Sequence, residues 1–113
     1  MPQTGDGATF PDTLWAEVNA TASGDNTVIT GVSGRRIRVT AITFTCSAAA
    51  QIAFKSGAST TRINPMSFAA NGGMDTQRLP PNYFLETNTG DAFVMNLDGT
   101  YNVRGSCNYV LVS

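Results

Sequence analysis

The sequence predicts an all-β fold, an antiparallel sandwich or barrel of eight to nine strands behind an extended N-terminal arm. Three observations predict it. Short stretches with apolar residues at every second position recur along the chain. Clusters of Gly, Asn, Asp, Ser and Pro separate them at intervals of roughly 8 to 14 residues. No stretch sustains the 3.6-residue apolar period of an amphipathic helix, and β-branched residues and helix breakers occur throughout.

Residues 1–12 contain Pro2, Pro11, Gly5, Gly7, Asp6, Asp12 and a single large apolar side chain, Phe10. They offer no face to bury and read as an arm, either a disordered tail or a segment that orders against another subunit with Phe10 and Trp15 as anchors. Residues 13–113 then form one β domain. "TLWAEVNA" alternates Leu14, Ala16 and Val18, and residues 23–26, "SGDN", are a turn. "TVITGV" follows, and after "SG" comes "RRIRVTAITFTC". "AQIAFK" points Ile52 and Phe54 inward, so residues 34–57 read as a hairpin. "SGAST" is a loop. "RINPMSF" carries Ile63, Met66 and Phe68 up to the "NGG" turn. "MDTQRL" is a weak strand ended by Pro80 and Pro81. "NYFLET" runs into "NTGD", and "AFVMNL" puts Phe93, Met95 and Leu97 on one face. "DGT" reads as a tight hairpin turn into the closing strand, "YNVRGSCNYVLV".

One feature resists simple alternation. Ile37 and Val39 are odd-numbered, whereas Ile42, Phe44 and Cys46 are even, although strand side chains alternate strictly between faces. Either a β-bulge near Ala41 inserts a residue and restores one buried face, or the strand is covered on both faces. The last strand has the same character, with Cys107, Tyr109 and Leu111 on one parity and Val110 and Val112 on the other. Two such strands point to a second covered surface, and another copy of the chain is the expected cover.

Charged residues make up only 13% of the chain, about half the usual ~25%. Such a surface costs little to desolvate and suits a protein covered by neighbours. A net charge of −1 gives no field for nucleic acid. The one basic cluster, Arg35, Arg36 and Arg38, reads as a solvated strand start or as a clamp on an acidic partner surface. No window approaches the roughly 20 apolar residues of a membrane span. The opening residues lack the basic and apolar regions of a secretory leader, so cytoplasmic synthesis is expected. Cys46 and Cys107 sit in strand patterns and read as reduced core thiols, with a disulfide open only to neighbouring strands.

The chain has no histidine, which removes His-dependent triads and cupin-type metal centres, and it has no phosphate-cradling GxxxxGK. No metal, no cofactor and no enzymatic activity are expected. The weaker alternatives are an acid pair drawn from Glu17, Asp75 and Glu86, calcium at the "DGT" or "SGDN" turns, and a sugar-stacking platform of Trp15 with Tyr83, Tyr101 and Tyr109.

Several motifs recur in a familiar order. They are residues 34–39 ("GRRIRV"), 54–57 ("FKSG"), 69–73 ("AANGG"), 87–92 ("TNTGDA") and 105–109 ("GSCNY"). Their order and spacing, over about three quarters of the chain, resemble a group of small proteins encoded by tailed bacteriophages, most closely the jelly-roll decoration, or cement, proteins of icosahedral heads. The resemblance implies a virion structural protein on the outer capsid surface. It further implies a homotrimer bound to the major capsid protein, with no nucleic acid or membrane partner. It assigns no contact residue. Phe10, Trp15, Arg35 and Arg36 are the interface candidates from the residues themselves. The competing expectations are another virion module, such as a tail, fibre or head–tail component, and a carbohydrate-binding sandwich.

Overall fold

A computed structural model describes residues 12–79 and 81–113. Among them nine strands form: β1 (Leu14–Ala20), β2 (Gly24–Ile29), β3 (Arg36–Cys46), β4 (Ala50–Ser56), β5 (Thr60–Phe68), β6 (Gly73–Gln77), β7 (Leu85–Glu86), β8 (Phe93–Leu97) and β9 (Val103–Val112). The expected arm lies almost wholly outside the described residues, as does Phe10. The strands make two sheets. One has the order β1-β9-β3-β6, with β7 on the same side of β3 as β6; the other has the order β2-β8-β4-β5. The pairs β4–β5, β3–β6/β7, β2–β8 and β1–β9 nest inside one another, all antiparallel. That is a long hairpin rolled over on itself, the jelly-roll arrangement.

The nesting corrects two local expectations. Residues 34–57 are not a hairpin, because β3 and β4 lie in different sheets, and "DGT" likewise carries the chain from one sheet to the other. A turn sequence says where the chain reverses, while burial of apolar faces decides which strands pair. Of these reversals, only β4 to β5 joins neighbours in one sheet. Two element bounds also move. β2 starts at Gly24, within the expected 23–26 turn, because Asn26 Nδ2 donates to Ala22 O (2.8 Å) and Gly24 O (3.1 Å) and holds the reversal from inside the strand. Of "NYFLET" only Leu85 and Glu86 are strand.

The parity change of β3 is a bulge. Val39 pairs with Tyr109 and Ala41 with Asn108, so Thr40 is the extra residue. Its groups are used: Thr40 Oγ1 donates to Asn108 O (3.3 Å), and Thr40 O accepts from Arg78 N (2.6 Å). Ile37, Val39, Ile42, Phe44 and Cys46 therefore enter one core, none more than 3% exposed. β9 is apolar on both faces, as expected: Val103 and Cys107 are buried in the core with Tyr109 and Leu111 packed against it. Val110 and Val112 face outward opposite Arg38 and Arg36; Val110 is buried and Val112 half-buried. β3 thus needs no second cover, and any surface for a neighbour must come from other residues.

Phe54 is the hub of the core. Its ring lies 5.4 Å from Phe84, 6.1 Å from Phe93 and 6.2 Å from Phe44, and Phe44 meets Phe68 edge-on at 5.4 Å. At the level of Phe44 the β3 sheet is pinched. Gly105 on β9 and Gly73 on β6 flank β3, and a Cβ at either would run into the Thr43 or Phe44 carbonyl. The loop before β8 is tied to the core through buried Thr87, whose Oγ1 accepts from Ile37 N and whose N–H donates to Ile37 O, both at 2.9 Å. Cys46 pairs with Val103 and Cys107 with Ile42, so the two thiols share neighbouring strands but sit at different levels, and both are free. Burial pushes the Cys107 thiol up to about 11 and raises Cys46 as well.

Replacing Phe54 by Ala should cost about 3–5 kcal/mol in denaturant unfolding. Gly105→Ala, which adds one methyl, should cost about 1–3 kcal/mol or more because backbone must move. Both thiols should resist a chromogenic disulfide reagent in the native protein and react together once denaturant unfolds it.

Candidate docking face

Alternation along the strands decides what each sheet shows to the outside. On the β3 sheet the outward residues form rows: Trp15–Asn108–Ala41–Gln77, then Glu17–Ser106–Thr43–Asp75, then Asn19–Arg104–Thr45–Gly73. The middle of this face, Asn108, Ser106, Ala41 and Thr43, is small and uncharged. Two shallow troughs of about 200 and 260 Å³ run over it and share Ala41, Gln77 and Asn108. The second crosses from Thr13 past the Thr40 bulge to Arg78 and Leu79.

Exposed apolar groups stand at both sides of that face. Trp15 is 65% exposed on β1, and Leu79 is 74% exposed beyond β6. Tyr83, 40% exposed, holds the Arg38 guanidinium over its ring at 5.0 Å. Beside it, Glu86 receives Arg38 Nε at 2.6 Å and Arg36 Nη1 at 3.3 Å, and Arg36 Nη2 also donates to Ser113 O at 3.1 Å. Two guanidinium groups against one carboxylate leave this end of the face positive.

The outer face of the β4 sheet is different. Lys55 Nζ meets Asp25 Oδ1 at 3.0 Å, and Asn96 Nδ2 donates to the same oxygen at 2.7 Å. The Asn96 amide and then Lys55 hold the Asp25 carboxyl below its ordinary 3.8. That face satisfies its charge internally, whereas the β3 sheet presents a neutral plateau with aromatic and aliphatic groups at its margins. A shallow plateau of this kind suits contact with another protein surface better than enclosure of a small molecule.

The structure separates the residues singled out in the sequence. Trp15 is outward and exposed. Arg35 is exposed beside Asp12, Leu14 and Leu111. Arg36 is committed to Glu86 and the last residue, so the basic cluster offers Arg35 rather than the full clamp. The four-aromatic sugar platform does not assemble: Tyr109 packs on the core, and Tyr101 OH donates to Asp98 Oδ1 at 2.5 Å. Glu17 and Asp75 share a row three interstrand spacings apart, roughly 14 Å between backbones, and Glu86 sits elsewhere with its arginines. No group of three His, Cys, Asp or Glu side chains is placed to hold a metal among the described residues. Leu79 was not singled out from the sequence. Its signal was the "LPP" run, since a large apolar residue just before two prolines has left its strand and has no ladder to point it inward. Compared with known proteins, the chain matches no family model, no curated protein and no solved structure.

The carboxylates and Tyr101 give a pH signature. Asp25 is lowered by Asn96 and then Lys55, and Asp98 is lowered chiefly by the Tyr101 hydroxyl. Each contributes stability above the ordinary 3.8 that is lost as pH falls through its lowered folded value. Tyr101 is raised from 10.0 to about 12, by burial and then by Asp98, so its contribution is complete below 10.0 and disappears as pH rises through about 12. Melting temperature followed against pH should fall on both limbs. Asp25→Asn should flatten the acid limb, and Tyr101→Phe should remove the tyrosine part of the alkaline one.

Proposed function

We propose that this protein is a structural component of a virion. It is a decoration protein that docks on the outer surface of an icosahedral phage head and cements neighbouring capsid subunits. The observation that carries the reading is the neutral outer face of the β3 sheet with Trp15, Leu79 and Tyr83 at its margins. The order of the "GRRIRV", "FKSG", "AANGG", "TNTGDA" and "GSCNY" motifs supports it, as does the jelly-roll strand order.

The mechanism is contact area. Four strands about 4.8 Å apart and seven residues at about 3.3 Å give a flat footprint of roughly 450 Å². A standard interface buries about 800 Å² per partner. A single face therefore holds weakly, and durable attachment needs several faces engaged together, so that release of one is followed by rebinding. The centre of the plateau, Asn108, Ser106, Ala41 and Thr43, carries no ion and is cheap to desolvate, while Glu17, Asp75 and Arg104 stand at the borders of the footprint. The exposed Trp15 and Leu79 supply the apolar anchors on which interface energy concentrates.

The test is to add the purified protein to phage heads assembled without it and to measure bound copies and the temperature of head rupture. The reading expects saturable binding at many copies per head and a higher rupture temperature, with Trp15→Ala and Leu79→Ala each weakening binding about tenfold while the melting of the free protein is unchanged. Absence of binding, or saturation at the few copies of a tail module, overturns it. Binding to a glycan array that is lost on replacing Trp15 would mark the face as a carbohydrate site instead.

A further inference from the structure

The two sheets have four free edges, and they are not alike. β5 carries Pro65 and two register irregularities against β4. β2 is irregular between Thr27 and Ile29 and is clasped at its start by Asn26. The edge opposite β1 in its own sheet is broken into five-residue β6 and two-residue β7. These are the devices that keep sheet edges from pairing with other chains. β1 has none of them. It pairs with β9 in unbroken register from Leu14 to Ala20 and contains no Pro, Gly or Lys. Its other edge has no backbone partner among the described residues. Leu14 belongs to its inward set, opposite Tyr109, yet is 37% exposed, and Ala16 is half-buried where one more strand would cover it.

We propose that the β1 edge is completed by β1 of a second copy, antiparallel, in the register that sets Ala16 opposite Ala16. Side-chain complementarity selects both occupant and register. Centred on Ala16, Leu14 lies opposite Val18 of the second copy on the inner face, and Trp15 lies opposite Glu17 of the second copy on the outer face. Centring on Glu17 sets two carboxylates directly opposite each other, which is unfavourable. Centring on Val18 leaves Leu14 beyond the end of the second strand, and centring on Trp15 pairs only residues 14–16. A twofold edge pair is closed, so it gives two chains rather than the three that the resemblance implies. It also joins two outer faces into one sheet surface with both Trp15 side chains near its middle, about doubling the docking footprint. The pairing does not depend on the head-binding reading and is tested apart from it.

The test is the mass of the full chain in solution by light scattering over a dilution series. The proposal expects the mass of two chains. Trp15→Glu places carboxylates opposite each other twice and should weaken association at least tenfold. Trp15→Lys should keep the pair, and Trp15→Glu combined with Glu17→Lys should restore it. Because Trp15 is exposed, all three should keep the parent's far-ultraviolet circular dichroism, and Trp15→Glu should melt lower only by the concentration-dependent part that the lost pair contributed. Independently, Ala16→Cys should cross-link into a two-chain species under mild oxidation, since that residue faces its own copy, whereas Asn19→Cys should not. The buried Cys46 and Cys107 do not compete. A single-chain or three-chain mass at every concentration, a pair indifferent to Trp15→Glu, or equal cross-linking at positions 16 and 19 overturns the proposal.

Discussion

The extra residue at Thr40 is the constraint on which the rest of the sandwich depends. β3 runs between β9 on one side and β6 and β7 on the other, so its register sets theirs. In a strand without the bulge, either Ile37 and Val39 or Ile42, Phe44 and Cys46 would face water, because a one-residue slip turns every following side chain over. The bulge lets both sets enter one core. It also bends the strand and leaves an unpaired residue whose polar groups need partners, which Asn108 and Arg78 supply. The trough on the outer face crosses the sheet at this point, so the irregularity that closes the core also shapes the surface outside it.

The two outer faces diverge for a reason that can be read from cross-strand neighbours. On the β4 sheet, Asp25, Lys55 and Asn96 come together on adjacent strands and satisfy one another. On the β3 sheet the central neighbours are Asn, Ser, Ala and Thr, and charge is displaced to the margins. Ion pairing is thereby concentrated at Glu86, where Arg36 and Arg38 meet it, leaving the plateau cheap to desolvate. The uncharged centre lies on the outer face of the β3 sheet, and the free edge of β1 continues that face.

Much of the fold was legible in the sequence because period-2 alternation reports the buried face directly. Ile52 and Phe54, Phe93, Met95 and Leu97, and Val18 all lie inward as the pattern requires. Pairing was less legible. "DGT" and the stretch from residue 34 to residue 57 have the local chemistry of hairpins, yet their strands part into different sheets, a matter of long-range burial that no local window contains. The parity change could be located in the sequence but not resolved, since a bulge and a doubly covered strand leave the same trace. Trp15 was legible as a large apolar group on the polar side of its strand. The arginines were not, because whether Arg36 is free depends on Glu86, far away along the chain. Leu79 was obscured because its loop follows β6 with no apolar rhythm of its own.

The glycines at positions 73 and 105 carry one more implication. They flank the same stretch of β3 from opposite sides, and in each case the first carbon of any side chain would meet a carbonyl of that strand. Evolution has no intermediate step there, for even the smallest replacement pays the full steric penalty. Trp15 and Leu79 stand in the open, where a new side chain meets no backbone, whereas at these two positions any side chain does.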